Sequence, residues 1–231
     1  MNFTGIGTLA NVITILCFSL LGTYCSRILS DNLKETLRQC IGLVCMAIGL
    51  HLFIGAHEHI LANVCCLMVG VVIGEGVGVH AFVENTSLWL RNKVGTSSST
   101  FALGFVVATS FYLTGDMFII GSIQDGAAGD PTILYWKTPL DAISAFVLAS
   151  EYGAGVTFSA FPVLIVQGAI TLLAYYFSSL LSPNVLEGIR GVGGIVLLAL
   201  GLYVLNIVKD MRVFNLMPGI AVVALWEMLK R

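Results

Sequence analysis

The sequence predicts an all-α protein, a polytopic membrane helix bundle of about eight spans. The chain of 231 residues is 57% hydrophobic and only 10% charged, whereas about a quarter of the residues in a soluble domain are charged. Its mean hydropathy is +0.94. Apolar runs long enough to cross a bilayer as helices, which need roughly 17–25 residues, recur along the whole chain.

Eight apolar runs qualify as spans: 3–24, 36–54, 61–83, 101–121, 138–157, 160–180, 189–208 and 212–229. No basic segment precedes the first run and no small-residue cleavage site follows it, so we do not expect an ordinary cleaved signal peptide. Between the third and fourth runs, residues 84–100 are too polar to span. This segment predicts a short helix on the cytoplasmic interface, formed by Leu88, Trp89, Leu90 and Val94 beside Arg91 and Lys93.

The first and last parts of the chain resemble each other. Residues 20–52 align with 172–204 without a gap, at a shift of 152 residues, with 14 identities in 33 positions. The same shift aligns two further polar pairs, Asn63 with Asn215 and Glu75 with Glu227. We therefore predict that the last three spans duplicate the first three.

Two central spans separate these copies, so the second copy is predicted to be inverted relative to the first. With the N-terminus outside, most lysines and arginines lie in cytoplasmic loops, as the positive-inside rule requires. If the fifth span crosses only halfway, the repeat is parallel instead. We expect one transmembrane domain over 1–231, made of repeat A (4–83), the interfacial linker (84–100), central helices (101–157) and repeat B (158–231).

A motif shared by the two copies is interpreted as a helix start. Asn-x-x-Glu-x-x-Arg occurs at Asn32 and again at Asn184. An Asn that accepts from the first helical amides, followed three residues later by a Glu that reaches back, forms a capping box. We therefore predict that these two asparagines cap helices and do not bind a ligand.

Polar side chains inside the apolar runs are the candidates for function, because inserting a charge costs about 2.5–3.5 kcal/mol even on a lenient scale. Asp116 and Glu151 lie deep in the fourth and fifth runs. Asp141 follows the start of the fifth run, where the helix dipole offers an alternative explanation for a carboxylate. Asn11 and Gln167 are uncharged, and polar residues of this kind either bridge helices or contact a solute.

The segment 122–141, SIQDGAAGDPTILYWKTPLD, holds the remaining candidates, Asp125, Asp130 and Lys137, together with Asp141. Its Asp-Gly and Gly-Asp-Pro pairs predict turns. Two interpretations follow: an ordinary external loop, or an unwound stretch that lines a water-filled cavity, where irregular backbone is tolerated. In the second interpretation Lys137 pairs with one of the acids.

Other classes of function have little support in the sequence. The six cysteines lack zinc-ligand spacing and are expected to be buried thiols, and His57-Glu58-His59 is expected to be a solvated loop. No basic tract indicates nucleic acid as a partner. We predict no enzyme activity, no cofactor and no metal site. The expected partners are the lipid bilayer and a small solute or ion, with a homo-oligomer as a further alternative.

Several segments together resemble the DUF554 family of bacterial membrane proteins over essentially the whole chain: GTLAN, NLKETLRQCIGLVCMAIG, GVVIGE, the central stretch and NLMPG. The resemblance implies a polytopic inner-membrane protein, described as a transporter without a known substrate. The family pattern has Gly-Ala-Met where this chain has Gly115-Asp116-Met117, and an uncharged residue at Glu151. It therefore implies that the common function rests on the most specific elements, which are Asp125, Gly126, Gly129, Asp130, Lys137 and Asp141.

Three functions are compatible with these observations. The favoured one is a secondary transporter, because inverted repeats are common in that class; its solute would be cationic or amine-bearing, bound by acids of the central helices. The second is an oligomeric cation channel. The third is a membrane interaction protein without transport, which predicts that no cavity reaches the acids.

Overall fold

The computed structural model describes residues 4–56, 59–95, 100–114, 116–177, 182–208 and 210–230. Within these ranges all regular structure is helical, which confirms the all-α class. The helices are α1 (Ile6–Cys25), α2 (Asp31–Gly55), α3 (Ile60–Val77), α4 (Val79–Val94), α5 (Phe101–Tyr112), α6 (Asp116–Ala128), α7 (Thr132–Tyr152), α8 (Gly155–Phe158), α9 (Ala160–Phe177), α10 (Pro183–Val204) and α11 (Pro218–Leu229). A 3₁₀ turn, Val213–Leu216, precedes α11.

Among the described residues, five helices are long and apolar enough to cross a membrane: α1, α2, α3, α10 and the unit Gly155–Tyr176, which joins α8 to α9. The pair α5–α6 makes a sixth candidate if it is one broken span. α7 has 21 residues, but its hydropathy is lowered by Lys137 and Asp141, and α11 has only 12 residues. The membrane character is therefore supported, and the number of eight spans stays a prediction.

Two of the predicted spans are interrupted. The run 61–83 divides at Gly78, whose φ of 72° ends α3 before α4 begins. The run 101–121 is bent by 60° between α5 and α6. Near this bend Thr114 donates its hydroxyl to the Ser110 carbonyl at 2.6 Å, an interaction that often bends helices. Neither run is therefore one straight helix.

The segment 122–141 is helical over most of its length, which corrects both interpretations of its backbone. α6 continues to Ala128, Gly129 turns the chain with a φ of 64°, and α7 begins at Thr132. Gly126 lies inside α6 and packs against the Thr171 carbonyl of α9. Glycine in this stretch therefore brings two helices together, as small residues do in membrane bundles.

The helix starts in the two copies were predicted in the right place but with the wrong capping residue. Ser30 and Ser182 precede α2 and α10 in an extended conformation, and each hydroxyl accepts from the amide three residues further on, at 3.3 and 3.4 Å. Asn32 and Asn184 are already inside the first helical turn. Only a residue with non-helical backbone just before the helix can act as the N-cap.

α2 and α10 pack as an antiparallel pair through two glycine contacts. A Cβ added at Gly49 would lie 2.6 Å from the Gly194 carbonyl oxygen, and one at Gly201 would lie 2.8 Å from that of Gly42. The other closely packed pairs are α1 with α7, α6 with α9 and α3 with α11. α1 also contacts α9, so it lies between α7 and α9.

Candidate functional site

Six polar residues from three helices meet inside the bundle, and each residue as a whole is at most 5% exposed. α1 contributes two of them, α7 two and α9 two. We call them the polar cluster: Thr8, Asn11, Lys137, Asp141, Gln167 and Thr171. The structure thus brings together four residues that the sequence predicted, namely Asn11, Lys137, Asp141 and Gln167.

Asn11 is the centre of the hydrogen bonds in the polar cluster. Its Nδ2 donates to Asp141 Oδ2 at 2.9 Å and to Gln167 Oε1 at 3.3 Å. Gln167 Nε2 donates to Thr8 Oγ1 at 3.2 Å, which lies 3.3 Å from Thr171 Oγ1. These bonds connect α1 with both α7 and α9, as polar side chains commonly do between membrane helices.

Lys137 and Asp141 form a buried ion pair one turn apart on α7. Lys137 Nζ donates to Asp141 Oδ2, and the side chains are 7% and 4% exposed. The ammonium also lies 5.8 Å from the ring centre of Tyr112, whose π face attracts cations. Such a pair gains little over apolar packing, because desolvation offsets the attraction. Its presence in an apolar bundle therefore indicates a functional rather than a stabilising role.

A cavity of about 320 Å³ reaches this ion pair. Lys137 and Asp141 line it together with apolar side chains of α2, while Thr114 and Met117 line it at the bend between α5 and α6. Asp141 is the tenth of the 21 residues of α7, so the pair lies near the middle of that helix. Of the predicted acids, Asp141 therefore lines this cavity.

The region around the polar cluster has unused hydrogen-bonding capacity. Asn11 Oδ1 and the Tyr112 hydroxyl are buried and have no hydrogen-bond partner in the part of the chain that the structure describes. An amide oxygen can only accept, and a buried polar atom without a partner is uncommon. The Asn11 Oδ1 atom, on the amide that donates to Asp141, is therefore an acceptor without a hydrogen-bond donor.

Asp125 of α6 lies beside the first residues of α1 and holds that helix in place. It is fully buried on α6, and its Oδ1 accepts from the Gly5 amide at 3.3 Å. α1 has no side-chain cap of its own, because Gly5 precedes it with a φ of 93°. Asp125 thus places a carboxylate at the positive end of the helix dipole. It positions α1, which carries Thr8 and Asn11.

Asp130 lies outside the polar cluster, in the turn between α6 and α7. Its Oδ1 accepts from the Thr132 hydroxyl at 2.5 Å and from the Thr132 amide at 3.0 Å, and its Oδ2 accepts from Gln124 at 2.5 Å. These bonds, those from Thr132 first, hold the pKa of the Asp130 carboxyl below its usual range. The arrangement is that of an Asx turn at a helix start, so the structure gives Asp130 a local role.

The two remaining acids are not part of the polar cluster as the structure describes it. Glu151 is ten residues from Asp141 along α7, or about 15 Å at the helical rise, and lies in the electrostatic field of Arg38. Arg38 itself is bonded to Glu35 and to the Val204 carbonyl. The side chain of Asp116, the first residue of α6, is outside the described part of the chain.

Thr8, Thr171 and Tyr112 were not predicted from the sequence. Thr8 precedes Asn11 by three residues and Thr171 follows Gln167 by four, so the helical repeat places each beside a predicted residue. This signal is weak, because helical threonines commonly bond to their own backbone, as Thr171 does to the Gln167 carbonyl at 3.0 Å. Tyr112 lies in an apolar run and could not be identified without the packing.

Other parts of the molecule offer fewer candidate functional groups. A groove of about 580 Å³ between α6, α9, α10 and α11 has an apolar lining and contains none of the predicted site residues. The described residues include no group of three or more His, Cys, Asp or Glu side chains that could hold a metal ion. Two residues of the predicted outer loop, His57 and Glu58, lie outside the described ranges.

Comparison with known proteins gives a family. A family model described as "Protein of unknown function (DUF554)" matches residues 6–228. The chain is 27% identical over 219 residues to the "Uncharacterized membrane protein YdfK" of Bacillus subtilis (strain 168), covering 94% of this chain and 93% of the relative. It is also 27% identical over 220 residues to the "Uncharacterized protein YqgA" of Escherichia coli (strain K12), with 93% of each covered. No solved structure is significantly similar.

Proposed function

This chain belongs to the DUF554 family, and we propose that it is a secondary transporter of a small cationic or amine-bearing solute or ion, crossing the bacterial inner membrane several times. The observation that carries this proposal is the buried Lys137–Asp141 pair, which lines a cavity beside the bend between α5 and α6. Secondary transporters bind their solutes near the bilayer midplane, next to discontinuous helices. The position of Asp141 near the middle of α7 fits this arrangement.

The polar cluster has the chemistry to bind an ammonium group. Such a group offers up to three donors and no acceptor. Asp141 supplies the negative charge, and Asn11 Oδ1 is a buried acceptor without a partner in the described structure. The Lys137 ammonium holds the Asp141 carboxylate. A bound cation competes with Lys137 for that contact, so the carboxylate stays paired whichever cation holds it.

We further propose that the two copies form an inverted repeat. The shift of 152 residues makes Gly42 equivalent to Gly194 and Gly49 equivalent to Gly201. In the α2–α10 pair Gly42 meets Gly201 and Gly49 meets Gly194. This reciprocal pattern is what a two-fold axis between two equivalent helices produces. Because α2 and α10 are antiparallel, such an axis is perpendicular to them and lies in the membrane plane.

The helix boundaries support the same relation. A shift of 152 residues brings the first residues of α1, α2 and α3 close to the first residues of α9, α10 and the 3₁₀ turn before α11. The capping serines are also equivalent, since Ser30 becomes Ser182. The contact of α1 with α7 has its counterpart in that of α9 with α6. α6 and α7 thus occupy matching places between the two repeats.

The experiment that tests the transport proposal is solute counterflow in proteoliposomes that contain the purified full chain. The panel holds sodium, potassium, ammonium, polyamines and cationic amino acids, with carboxylates as the negative class. We expect counterflow with one cationic class, abolished by Asp141→Asn and reduced at least tenfold by Asn11→Leu. Asp31→Asn is the matched control, since the Asp31 side chain is 99% exposed and pairs with Lys34 on the surface.

Each outcome of this experiment decides between the three functions. Counterflow that survives Asp141→Asn overturns the role of the polar cluster. Single-channel currents from the same vesicles identify the channel alternative, because a carrier gives none. The absence of both counterflow and currents over the whole panel, with the protein shown to be folded and correctly inserted, rejects transport and favours the interaction protein.

A further inference from the structure

A second groove, separate from the polar cluster, lies between α4 and the pair α5–α9. Its volume is about 670 Å³, and most of its lining is aromatic or aliphatic. Phe82 and Trp89 of α4 form one wall, while Phe105 of α5 and Phe161 of α9 form the other. A groove with such walls accepts hydrocarbon.

One end of this groove carries positive charge. Lys93 lines it, and Arg91 lies in the same last turn of α4. Lys93 Nζ is 4.8 Å from the ring centre of Trp89, a cation–π contact that holds the ammonium at the groove. Over the ranges that the structure describes, neither basic residue forms an ion pair. The Lys93 charge is therefore free for an anionic ligand at this end of the groove.

A buried polar atom lines the apolar part of the groove. Thr109 of α5 is 3% exposed, and its Oγ1 has no hydrogen-bond partner among the described residues. A buried hydroxyl without a partner carries a desolvation cost. A ligand that fills the groove with hydrocarbon alone leaves this cost in place, whereas a ligand with a carbonyl oxygen among its apolar groups removes it.

We propose that this groove is a binding site for one anionic phospholipid. The acyl chains pack against Phe82, Phe105 and Phe161, an ester carbonyl accepts from Thr109, and the phosphate lies at Lys93. All three parts of the ligand have a matching element in the groove. Anionic lipids are attracted to basic residues beside membrane helices by about 1 kcal/mol each, and this site adds apolar depth to that attraction. The proposal is independent of transport.

The test is a lipid titration of the purified full chain in a neutral detergent, followed by thermal unfolding. Dioleoyl phosphatidylglycerol is compared with dioleoyl phosphatidylcholine, and glycerol phosphate serves as a headgroup without chains. We expect phosphatidylglycerol to raise the unfolding temperature through binding to the folded state. Phosphatidylcholine should do so much less and glycerol phosphate not at all, because the groove needs both charge and hydrocarbon.

Three variants locate the site. Lys93→Gln should weaken the apparent affinity for phosphatidylglycerol about fivefold. Arg27→Gln, an exposed basic residue between α1 and α2, should leave the affinity unchanged. Thr109→Val should raise the unfolding temperature without lipid and weaken the response to phosphatidylglycerol. Equal responses to the two lipids, or equal weakening by Arg27→Gln, would overturn the proposal in favour of diffuse surface attraction.

Discussion

At the scale of single residues, the Lys137–Asp141 pair is the most unusual feature of this protein. Each member is almost fully buried, in a chain of which only 10% of the residues are charged. Two apolar residues of similar volume would stabilise the bundle as well or better. The pair therefore costs stability, and a specific function explains its presence better than packing does.

We predict that Lys137→Met lowers the free energy of unfolding by about 3–5 kcal/mol, because it leaves the Asp141 carboxylate buried without its partner. The double variant Lys137→Met/Asp141→Leu should recover most of this loss, since it removes both charges together. Thermal unfolding of the purified protein in detergent measures both effects.

The matched control is Lys34→Met, which breaks the ion pair with Asp31. Asp31 is 99% exposed, and such surface pairs contribute only about 0–1 kcal/mol. If Lys34→Met and Lys137→Met prove equally harmful, or if the double variant is no more stable than the single one, the buried pair does not have the energetics described here.

At the scale of helices, the sequence predicted where a helix lies better than whether that helix is continuous. The apolar runs identified α1, α2, α9 and α10 because long runs in a charge-poor chain have few alternatives. The runs could not show the division at Gly78 or the bend after Tyr112, since glycine and threonine also occur in straight membrane helices. Whether such a residue interrupts a helix or leaves it straight depends on the packing of the neighbouring helices, which a single sequence does not reveal.

The polar cluster was partly predictable for the same reason. Asn11, Asp141 and Gln167 stood out because each is polar in apolar surroundings, where polarity is costly. Their meeting at one point depends on how α1, α7 and α9 cross, and this is a property of the packed bundle. Asp130 carried the same sequence signal as Asp141, yet it caps a turn, because only packing separates a buried acid from an exposed one.

We predict that Gly194→Ala weakens the α2–α10 contact and lowers the free energy of unfolding by about 1–3 kcal/mol. A Cβ there would lie 2.7 Å from the Gly49 carbonyl oxygen and 2.7 Å from the Phe53 amide nitrogen. Backbone atoms cannot move aside as a flexible side chain can. Thermal unfolding compares this variant with Gly76→Ala in α3.

Gly76 is a suitable control because a Cβ there has no neighbour within 4 Å in the described structure. Alanine also favours the helix over glycine by up to about 1 kcal/mol, so Gly76→Ala should be neutral or slightly stabilising. A Gly194→Ala variant as stable as Gly76→Ala would mean that the close helix crossing is not required for the fold.

At the scale of the whole molecule, the two proposed repeats have equivalent helices in unequal surroundings. The apolar window of α10 is 67% buried and that of α2 only 33%. α10 packs along α11, whereas α2 and α3 are not packed along each other in the described structure. We therefore predict a second conformation in which the two repeats exchange their tight and open surroundings. Such an exchange is the basis of alternating access in inverted-repeat transporters.

The exchange predicts a contact that is absent from the present conformation. A Cβ added at Gly219 of α11 would lie 3.3 Å from Val192 of α10. The shift of 152 residues makes Val192 equivalent to Cys40 and Gly219 equivalent to Leu67. Cys40 is exposed on α2. In the second conformation, then, Cys40 should approach position 67 of α3.

We therefore predict that Cys40 forms a disulfide with Leu67→Cys under mild oxidation, in a chain whose other five cysteines are replaced by serine. The crosslink should stop counterflow, and reduction should restore it. Leu61→Cys, six residues earlier on α3 and 79% exposed, is the control and should stay uncrosslinked. Equal crosslinking of positions 61 and 67 indicates random collision, and no crosslink at position 67 during active counterflow rules out this exchange. In either case the two repeats would be a relic of duplication and would not form the two halves of a transport cycle.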